Sequence, residues 1–267
     1  MADALRRDFT INALSVDRAG NVFDLVGGLP DIRAGRVRFI GEPARRIAED
    51  RLRILRFFRF HAQYGRGELD RDGLDAAIRA RAGLRDLSNE RIGQEMRKLA
   101  VAPRATDVAA PMQEAGILGI VLGGVGYLGA FARLPAFEAI VGREPSVALR
   151  LAALGCAIEE DAERIAARLR LANAERERMR AAVAQARAFR PMPDARAGRR
   201  LLYRLGPATY RDAAALAAAW STAPIDAPGW LDVHGLPERW PTPRFPLGGR
   251  DILAAGRRGG PAVGEML

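Results

Sequence analysis

The feature that most constrains this chain is a helical periodicity that begins at Pro43 and continues for most of its length. In the first such segment, ARRIAEDRLRILRFFRFHAQYG, apolar side chains recur near three- and four-residue intervals: Ile47, Leu52, Leu55, Phe58 and Ala62. That spacing places them on one side of a helix, which we expect to end at Gly65. Similar helical segments follow at residues 69–82, 88–102, 105–118, 146–158, 161–171, 173–189 and 207–221. No fixed-period repeat relates these segments, so a solenoid is not expected.

Residues 1–45 are the least helical part of the chain. The segment ALSVDRAGNVFDLVGG alternates apolar and polar side chains around RAGN, which is typical of a β-hairpin. The segment RVRFIG, residues 36–41, has the composition of a further short strand. The predicted fold is therefore mainly α, with a small α/β segment at the N-terminus followed by an elongated helical body. A proline-rich stretch, APIDAPGWLDVHGLPERWPTPRFP, predicts a linker after the helices.

The charge balance points to a polyanionic partner. The 267 residues include 42 Lys or Arg and 32 Asp or Glu, which gives a formal net charge of +10. Neutralising phosphates releases condensed counterions, so a basic surplus favours nucleic acid. A GC-rich genome would explain the preference for arginine over lysine, but it would not explain the surplus of bases over acids.

Composition also excludes several classes of protein. No apolar run reaches the roughly 20 residues that a bilayer-spanning helix needs, and a secretory leader is not expected. Cys156 is the single cysteine, so a disulfide framework is excluded and a cytoplasmic location is the default. We expect Cys156 to be a small core residue. His61 is expected at the surface near the end of its helix, with a contact to RNA as the alternative. With His234 in the predicted linker, the sequence holds no Cys/His cluster for zinc.

The segment EDRLRILRFFRF carries a row of charged residues three apart: Asp50, Arg53, Arg56 and Arg59. On a helix, successive members of such a row are neighbours. A carboxylate beside a guanidinium offers acceptors and donors to a nucleobase edge, and guanidinium also binds phosphate bidentately. The alternative is a solvated face of ion pairs, each worth only about 0.2–0.5 kcal/mol.

Several motifs in order distinguish these interpretations: RRDFTINAL, NVFDLVGGLPDIRAGRVRFIGEP, RIAEDRLRILRFFRF and LSNERIGQEM. Together they resemble the bacterial class II tRNA nucleotidyltransferases, the CCA-adding enzymes and their poly(A) polymerase relatives. The resemblance covers the first hundred residues densely. The segment PLGGRDILAAGRRGGPAVGEML near the C-terminus also resembles the distal tRNA-contacting part of that family.

The resemblance implies a role for each matching residue. Arg6 and Arg7 would contact the ribose and phosphates of the incoming nucleotide, and Asp8 would order their turn. Asp50 and Arg53 would select the base of CTP or ATP. The remaining implied nucleotide contacts are Arg56 and Arg59, and the implied supports of that helix are Glu90 and Arg91. Asp24, Gly27 and Gly28 would be structural.

The resemblance also implies a domain order and a reaction. Residues 1–42 would be the C-terminal part of a catalytic head, 43–102 a neck that selects nucleotides, 103–220 a helical body, and 221–267 the linker and the start of a tRNA-binding tail. A tRNA 3′-hydroxyl would attack the α-phosphate of the nucleotide and release pyrophosphate, with Mg²⁺ stabilising the charge.

The sequence departs from the family pattern ahead of RRDFTINAL. The glycine-rich G-G-x-V-R-D turn and the D-x-D carboxylates of the family are not found in this chain, so its catalytic and metal-binding residues are expected upstream or on a separate head polypeptide. Asp70 and Asp72 have D-x-D spacing, but we expect Asp72 to be a turn or N-cap residue. The GGRD of Gly248–Asp251 is an equally weak candidate for the turn.

Four functional hypotheses follow. The chain is part of a CCA-adding enzyme, part of a poly(A) polymerase, or a non-catalytic RNA-binding module such as one subunit of a split enzyme. The fourth is a generic helical scaffold whose charge reflects codon usage, which the ordered motifs disfavour. CCA addition, addition of A alone and addition of CC alone are left open, as is the oligomeric state.

Overall fold

The computed structural model describes residues 6–243, and within that range the fold is mainly α with one two-stranded antiparallel sheet, as predicted. The strands are β1 (Ser15–Val16) and β2 (Val22–Phe23). The helices are α1 (Gly28–Ala34), α2 (Pro43–Glu49), α3 (Arg53–Tyr64), α4 (Arg71–Ala80), α5 (Asn89–Ala100), α6 (Ala105–Glu114), α7 (Ile117–Leu122), α8 (Leu128–Ile140), α9 (Val147–Gly155), α10 (Glu159–Arg168), α11 (Asn173–Ala186), α12 (Ala195–Trp220), α13 (Pro228–His234) and α14 (Leu236–Arg239). Short 3₁₀ turns cover Thr10–Asn12, Arg81–Asp86 and Arg187–Phe189.

The predicted hairpin forms, with Ser15 opposite Phe23 and Val16 opposite Val22. Its turn is held by Asp17, whose Oδ1 accepts the backbone N–H groups of Ala19 and Asn21. The prediction of a strand over residues 36–41 is wrong. That segment instead makes a single bridge to the N-terminal segment, between residues 9 and 39.

The single helix predicted across residues 44–65 is also wrong, because it is broken at Asp50. Asp50 has extended backbone angles (φ −154°, ψ 110°), and its Oδ1 accepts the N–H of Leu52 at 3.0 Å. The side chain therefore starts a new turn, and α3 begins at Arg53. Asp50 does not share a helix with the arginines that follow it. The predicted stop at Gly65 is confirmed.

Two further expectations about helix starts have different outcomes. Ser88 caps α5, as predicted, by accepting the N–H of Arg91. The N-cap of α4 is Asp70, whose Oδ2 accepts the N–H of Gly73 at 3.0 Å, and Asp72 lies inside the first turn. Asp72 was expected to be a turn or N-cap residue, and the N-cap position belongs instead to Asp70.

The remaining helices pack on one continuous apolar core. Cys156 belongs to that core at 1% exposure, as predicted. Helix α8 was not predicted, and α12 begins twelve residues before its predicted start at residue 207. Within α12 the backbone of Gly206 is not helical (φ 71°, ψ 163°), so the helix restarts at Pro207.

The segment predicted as a proline-rich linker contains α13 and α14 and packs on the body. Trp230 is 2% exposed, and His234 lies edge-on to Phe137 with ring centroids 5.4 Å apart. The predicted distal segment, with Gly248–Asp251, lies outside the described residues. The boundaries of the four predicted domains stay predictions. Across residues 6–243, no helix combines the length and apolarity needed to cross a bilayer.

Candidate functional site

The predicted site residues meet where the N-terminal segment packs on α3. Asp8 is buried there, and its two carboxylate oxygens accept from two successive arginines of the helix. Arg53 donates through Nε to Asp8 Oδ1 at 2.7 Å, and Arg56 donates through Nε to Asp8 Oδ2. One carboxylate thus joins residues that are 45 and 48 positions apart in sequence. We call Asp8, Arg46, Glu49, Arg53, Arg56, Arg59 and Glu95 the junction network.

Helix α2 contributes a second layer to the junction network. Glu49 Oε2 accepts from Arg53 Nη1 at 2.6 Å and from Arg46 Nη1 at 2.7 Å. Arg46 also donates to the backbone carbonyl of Arg7. The exposed residues Arg6 and Arg7 are therefore attached to α2 on one side and, through Asp8, to α3 on the other.

Helix α5 completes the network through Glu95, whose side chain is 5% exposed. Glu95 Oε2 accepts from Arg59 Nε at 2.5 Å, and Oε1 lies 3.7 Å from Arg56 Nη1. The Arg59 guanidinium also lies over the Phe60 ring, 4.4 Å from its centroid. Since the Arg59 side chain is 13% exposed, it orients α3 against α5 in this structure, and its contact with nucleotide stays a prediction.

Asp50 stands at the edge of this network and is more accessible. Its Oδ2 accepts from Arg91 Nη2 at 2.8 Å, with side chains 31% and 47% exposed respectively. Glu90 and Arg91, which were predicted to support the arginine helix together, have different partners. Arg91 holds Asp50, whereas Glu90 pairs with Arg170 at 3.1 Å. A carboxylate held on one side and open on the other can accept hydrogen bonds from an exocyclic amine.

The electrostatics keep Arg53 charged. Burial acts to lower the pKa of Arg53, but hydrogen bonds to Glu49 and Asp8 outweigh it, so that pKa is raised. The hydrogen bond from Arg53 holds the pKa of Glu49 below its ordinary value. Arg53 is thus a permanently charged donor whose orientation is fixed by two carboxylates, which suits recognition of a carbonyl or phosphate oxygen.

Sequence reasoning missed Arg46, Glu49 and Glu95. The pairing of Glu49 with Arg53 at i, i+4 was available from spacing. Glu95 had a weaker signal, because it lies among the apolar positions Ile92, Met96 and Leu99 of an amphipathic helix. A carboxylate on such a face needs a cationic partner on the neighbouring helix.

A cavity of about 750 Å³ lies beside the junction network, between the N-terminal segment and the end of α3. Its lining includes Arg36, Tyr64, Arg66 and Arg104 but not Asp50 or Arg53. His61, expected at the surface, is instead 2% exposed, with Nε2 3.2 Å from the carbonyl of Gly67. Burial lowers the pKa of His61, so neither a surface position nor an RNA contact fits it.

The described residues do not fit a magnesium site. Within residues 6–243, no group of three or more His, Cys, Asp or Glu side chains is arranged to hold a metal ion. Asp70, one half of the D-x-D candidate, uses its carboxylate to cap α4. The junction carboxylates Asp8 and Glu95 are already neutralised by arginines.

Comparison with known proteins gives consistent matches. A family described as the Poly A polymerase head domain matches residues 1–38. The CCA tRNA nucleotidyltransferase 1, mitochondrial, of Mus musculus is 43% identical over 102 residues, which are 36% of this chain and 23% of that protein. The CCA-adding enzyme of Streptococcus gordonii is 46% identical over 101 residues, which are 38% of this chain and 25% of that protein.

Solved structures match over nearly the whole chain. The Bacillus stearothermophilus CCA-adding enzyme in complex with CTP has a TM-score of 0.70 and 25% identity, covering 98% of this chain and 66% of that one. The Thermotoga maritima CCA-adding enzyme complexed with tRNA has a TM-score of 0.70 at 19% identity, covering 99% of this chain and 67% of that one, a likeness of fold alone. The match spans 23% and 25% of the length of the two curated relatives.

Proposed function

We propose that this chain belongs to the family of CCA-adding enzymes and poly(A) polymerases, and that it forms the nucleotide-selecting and tRNA-contacting part of an enzyme that adds CCA to tRNA 3′ ends from CTP and ATP. The names of the relatives support that activity, and the charge of +10 supports an RNA partner.

The observation that carries the proposal is the arrangement around Asp50 and Arg53. Asp50 offers a carboxylate, 31% exposed, that Arg91 holds in place, and Arg53 offers a guanidinium, 12% exposed, that Asp8 and Glu49 hold in place. Cytosine and adenine both present an exocyclic amine, which a carboxylate accepts from. We therefore assign base selection to Asp50 and Arg53.

The other predicted nucleotide contacts are assigned more specifically. Arg6 and Arg7 are exposed next to buried Asp8, so we assign them to the ribose and phosphates. Arg56 keeps 29% of its side chain exposed while its Nε is held by Asp8, so we assign it a contact with the nucleotide as well. Arg59 would act with it, from its position against Glu95 and Phe60.

The reaction also requires groups that residues 6–243 do not supply. We infer that Mg²⁺ is held by carboxylates on a catalytic head segment or polypeptide, because within residues 6–243 no three His, Cys, Asp or Glu side chains are grouped to hold a metal ion and Asp70 is engaged in capping α4. An exposed apolar surface on the β1–β2 hairpin would receive that head. Val16, Val22, Phe23 and Leu25 are between 48% and 64% exposed, and an isolated two-stranded hairpin is marginally stable in water.

The experiment is reconstitution of nucleotide addition. A tRNA transcript lacking CCA is incubated with CTP, ATP and Mg²⁺, and with this chain, the separately expressed head domain of the Streptococcus gordonii enzyme, or both. We expect CCA addition only with both proteins, and no addition when Phe23→Ser and Val22→Ser are combined in this chain. The matched control is Ile140→Ser, since Ile140 is 46% exposed but lies on α8, remote from the hairpin in sequence.

Two other outcomes support the alternatives. Addition of A alone would favour a poly(A) polymerase, which the head-domain match over residues 1–38 also permits. Binding of tRNA without any addition would favour a non-catalytic RNA-binding subunit, which the lack of a carboxylate cluster within residues 6–243 permits. Robust addition by this chain alone would contradict the need for a separate head.

We also propose a cytoplasmic location. The single cysteine supports a reducing compartment, since the sequence offers it no partner for an intramolecular disulfide. The Mus musculus relative is named as a mitochondrial enzyme, so fractionation of expressing cells is the test.

A further inference from the structure

The first half of α12 presents a row of arginines to solvent. Positions i, i+3, i+4, i+7 and i+8 of this helix are occupied, in that order, by Arg196, Arg199, Arg200, Tyr203 and Arg204. Residues at those intervals lie on one face. All five are exposed, Tyr203 at 56%. We call these five residues the arginine stripe.

The packing of α12 fixes the direction in which the arginine stripe faces. Leu202 on the other side of the helix is fully buried, and Leu201 and Leu205 pack partly against the core. Gly198 is buried so closely that an added Cβ would lie 3.3 Å from the Leu236 side chain. The helix cannot turn its arginines inward without exposing this apolar face.

The charge of the arginine stripe is not neutralised by its neighbours. Among residues 6–243, no salt bridge involves any of its four arginines. Arg204 donates to the neutral Gln185 at 3.3 Å, and Arg199 lies 5.9 Å from the centroid of the Trp240 ring. By contrast, Arg180 on α11, whose side chain is 40% exposed, is paired with both Glu177 and Glu159.

The helix itself makes this concentration of charge unfavourable. Arg196 lies in the first turn of α12, where the macrodipole disfavours a cation by about 0.3–1 kcal/mol. Asp194 is the nearby acid, and its Oδ1 already caps the helix by accepting the N–H of Ala197 at 2.7 Å. Codon usage would explain arginine in place of lysine, but it would not place four unpaired cations on one face.

We propose that the arginine stripe binds the phosphate backbone of RNA and, resting on the proposed function, that this RNA is the tRNA substrate. The stripe extends over nine residues of helix, about 12 Å from Arg196 to Arg204, a length along which a nucleic-acid strand presents roughly three to four phosphates. Tyr203 supplies a hydroxyl and a flat ring between the cations. An anionic membrane fits less well, because the apolar face that would enter the lipid is buried in the protein.

The test compares two variants of equal charge. The stripe variant combines Arg199→Gln, Arg200→Gln and Arg204→Gln. The control combines Arg71→Gln, Arg79→Gln and Arg85→Gln, which are also exposed and make no ion pair in the described part of the chain. Binding of a fluorescein-labelled tRNA lacking CCA is measured by anisotropy between 50 and 200 mM salt, and circular dichroism confirms that each variant is folded.

We expect the stripe variant to lose about tenfold or more in affinity, and its slope of log K against log salt to fall by about 2–3, since each phosphate contact contributes about 0.7–0.9. The control variant should keep the wild-type slope. Equal losses in both variants, or none in the stripe variant, would overturn the inference while leaving the proposed function standing. Failure of the wild-type chain to bind tRNA would overturn both. Binding to phosphatidylglycerol vesicles, lost in the stripe variant without any RNA binding, would assign the surface to a membrane instead.

Discussion

Replacing Asp8 by asparagine tests whether the junction network holds the N-terminal segment on α3. The substitution keeps the shape of the side chain but removes the negative charge that neutralises Arg53 and Arg56. Removing one partner of a buried ion pair costs about 3–5 kcal/mol. Arg56 is 29% exposed, and both Glu49 and Glu95 stay available to the two arginines. We therefore expect a loss of about 2 kcal/mol in the free energy of unfolding, somewhat less than a fully buried pair would show.

The assay is urea unfolding followed by circular dichroism, together with thermal unfolding, where a loss of that size should lower Tm by about 4–8 °C in a protein of this length. Asp107→Asn is the matched control, because Asp107 pairs with Arg104 but is 50% exposed. An exposed pair of that kind contributes less than about 1 kcal/mol. If Asp8→Asn unfolds within about 0.5 kcal/mol of the wild type, the network does not stabilise the junction and the reasoning is refuted.

Three other predictions concern residues outside the junction network. Burial lowers the pKa of His234 to about 4, so the folded state resists protonation. The free energy of unfolding should therefore fall as the pH drops below about 6.5, by about 2 kcal/mol at pH 5 in urea titrations. His234→Gln should remove this dependence of stability on pH. Gly93→Ala should destabilise by about 1–3 kcal/mol, because its Cβ would lie 1.9 Å from the carbonyl oxygen of Leu169. Gly119→Ala is the control, because nothing lies within 4 Å of the added Cβ, and it should raise the free energy of unfolding by about 0.5–1 kcal/mol. Equal changes in the free energy of unfolding for Gly93→Ala and Gly119→Ala would contradict the packing assigned to Gly93. Cys156, buried and with its pKa raised to about 12, should react with iodoacetamide only after unfolding, so rapid labelling of the native protein would count against the assigned packing.

Local signals in the sequence predicted local structure. The stop at Gly65, the cap at Ser88 and the hairpin around residues 18–21 depend on a few neighbouring residues, and each forms as expected. Helix α8 was missed because its apolar residues are not confined to one stripe and Pro135 lies inside it. The early start of α12 was hidden by Gly198 and by the Gly206–Pro207 break, although Asp194 gave an N-cap signal.

The geometry of the site was less accessible from sequence. The motifs identified Asp8, Asp50, Arg53 and Arg91, but spacing suggested that Asp50 and Arg53 share one helix. The break at Asp50 depends on its carboxylate bonding the N–H of Leu52, which competes with helix continuation. Contacts across 45 residues, such as Asp8 with Arg53, depend on tertiary packing that no periodicity encodes.

The most direct test of the assigned base-selecting site is the nucleotide preference of Asp50→Asn. Dissociation constants of CTP, ATP, UTP and GTP for this chain are measured by isothermal titration calorimetry at fixed salt, with Asp107→Asn as the control. The wild type and the control should prefer CTP and ATP. Asp50→Asn should lose that preference, by about 1–2 kcal/mol for the lost carboxylate hydrogen bond, while keeping its Tm and its affinity for tRNA. An unchanged order of preference in Asp50→Asn would contradict the assignment of base selection to Asp50 and Arg53.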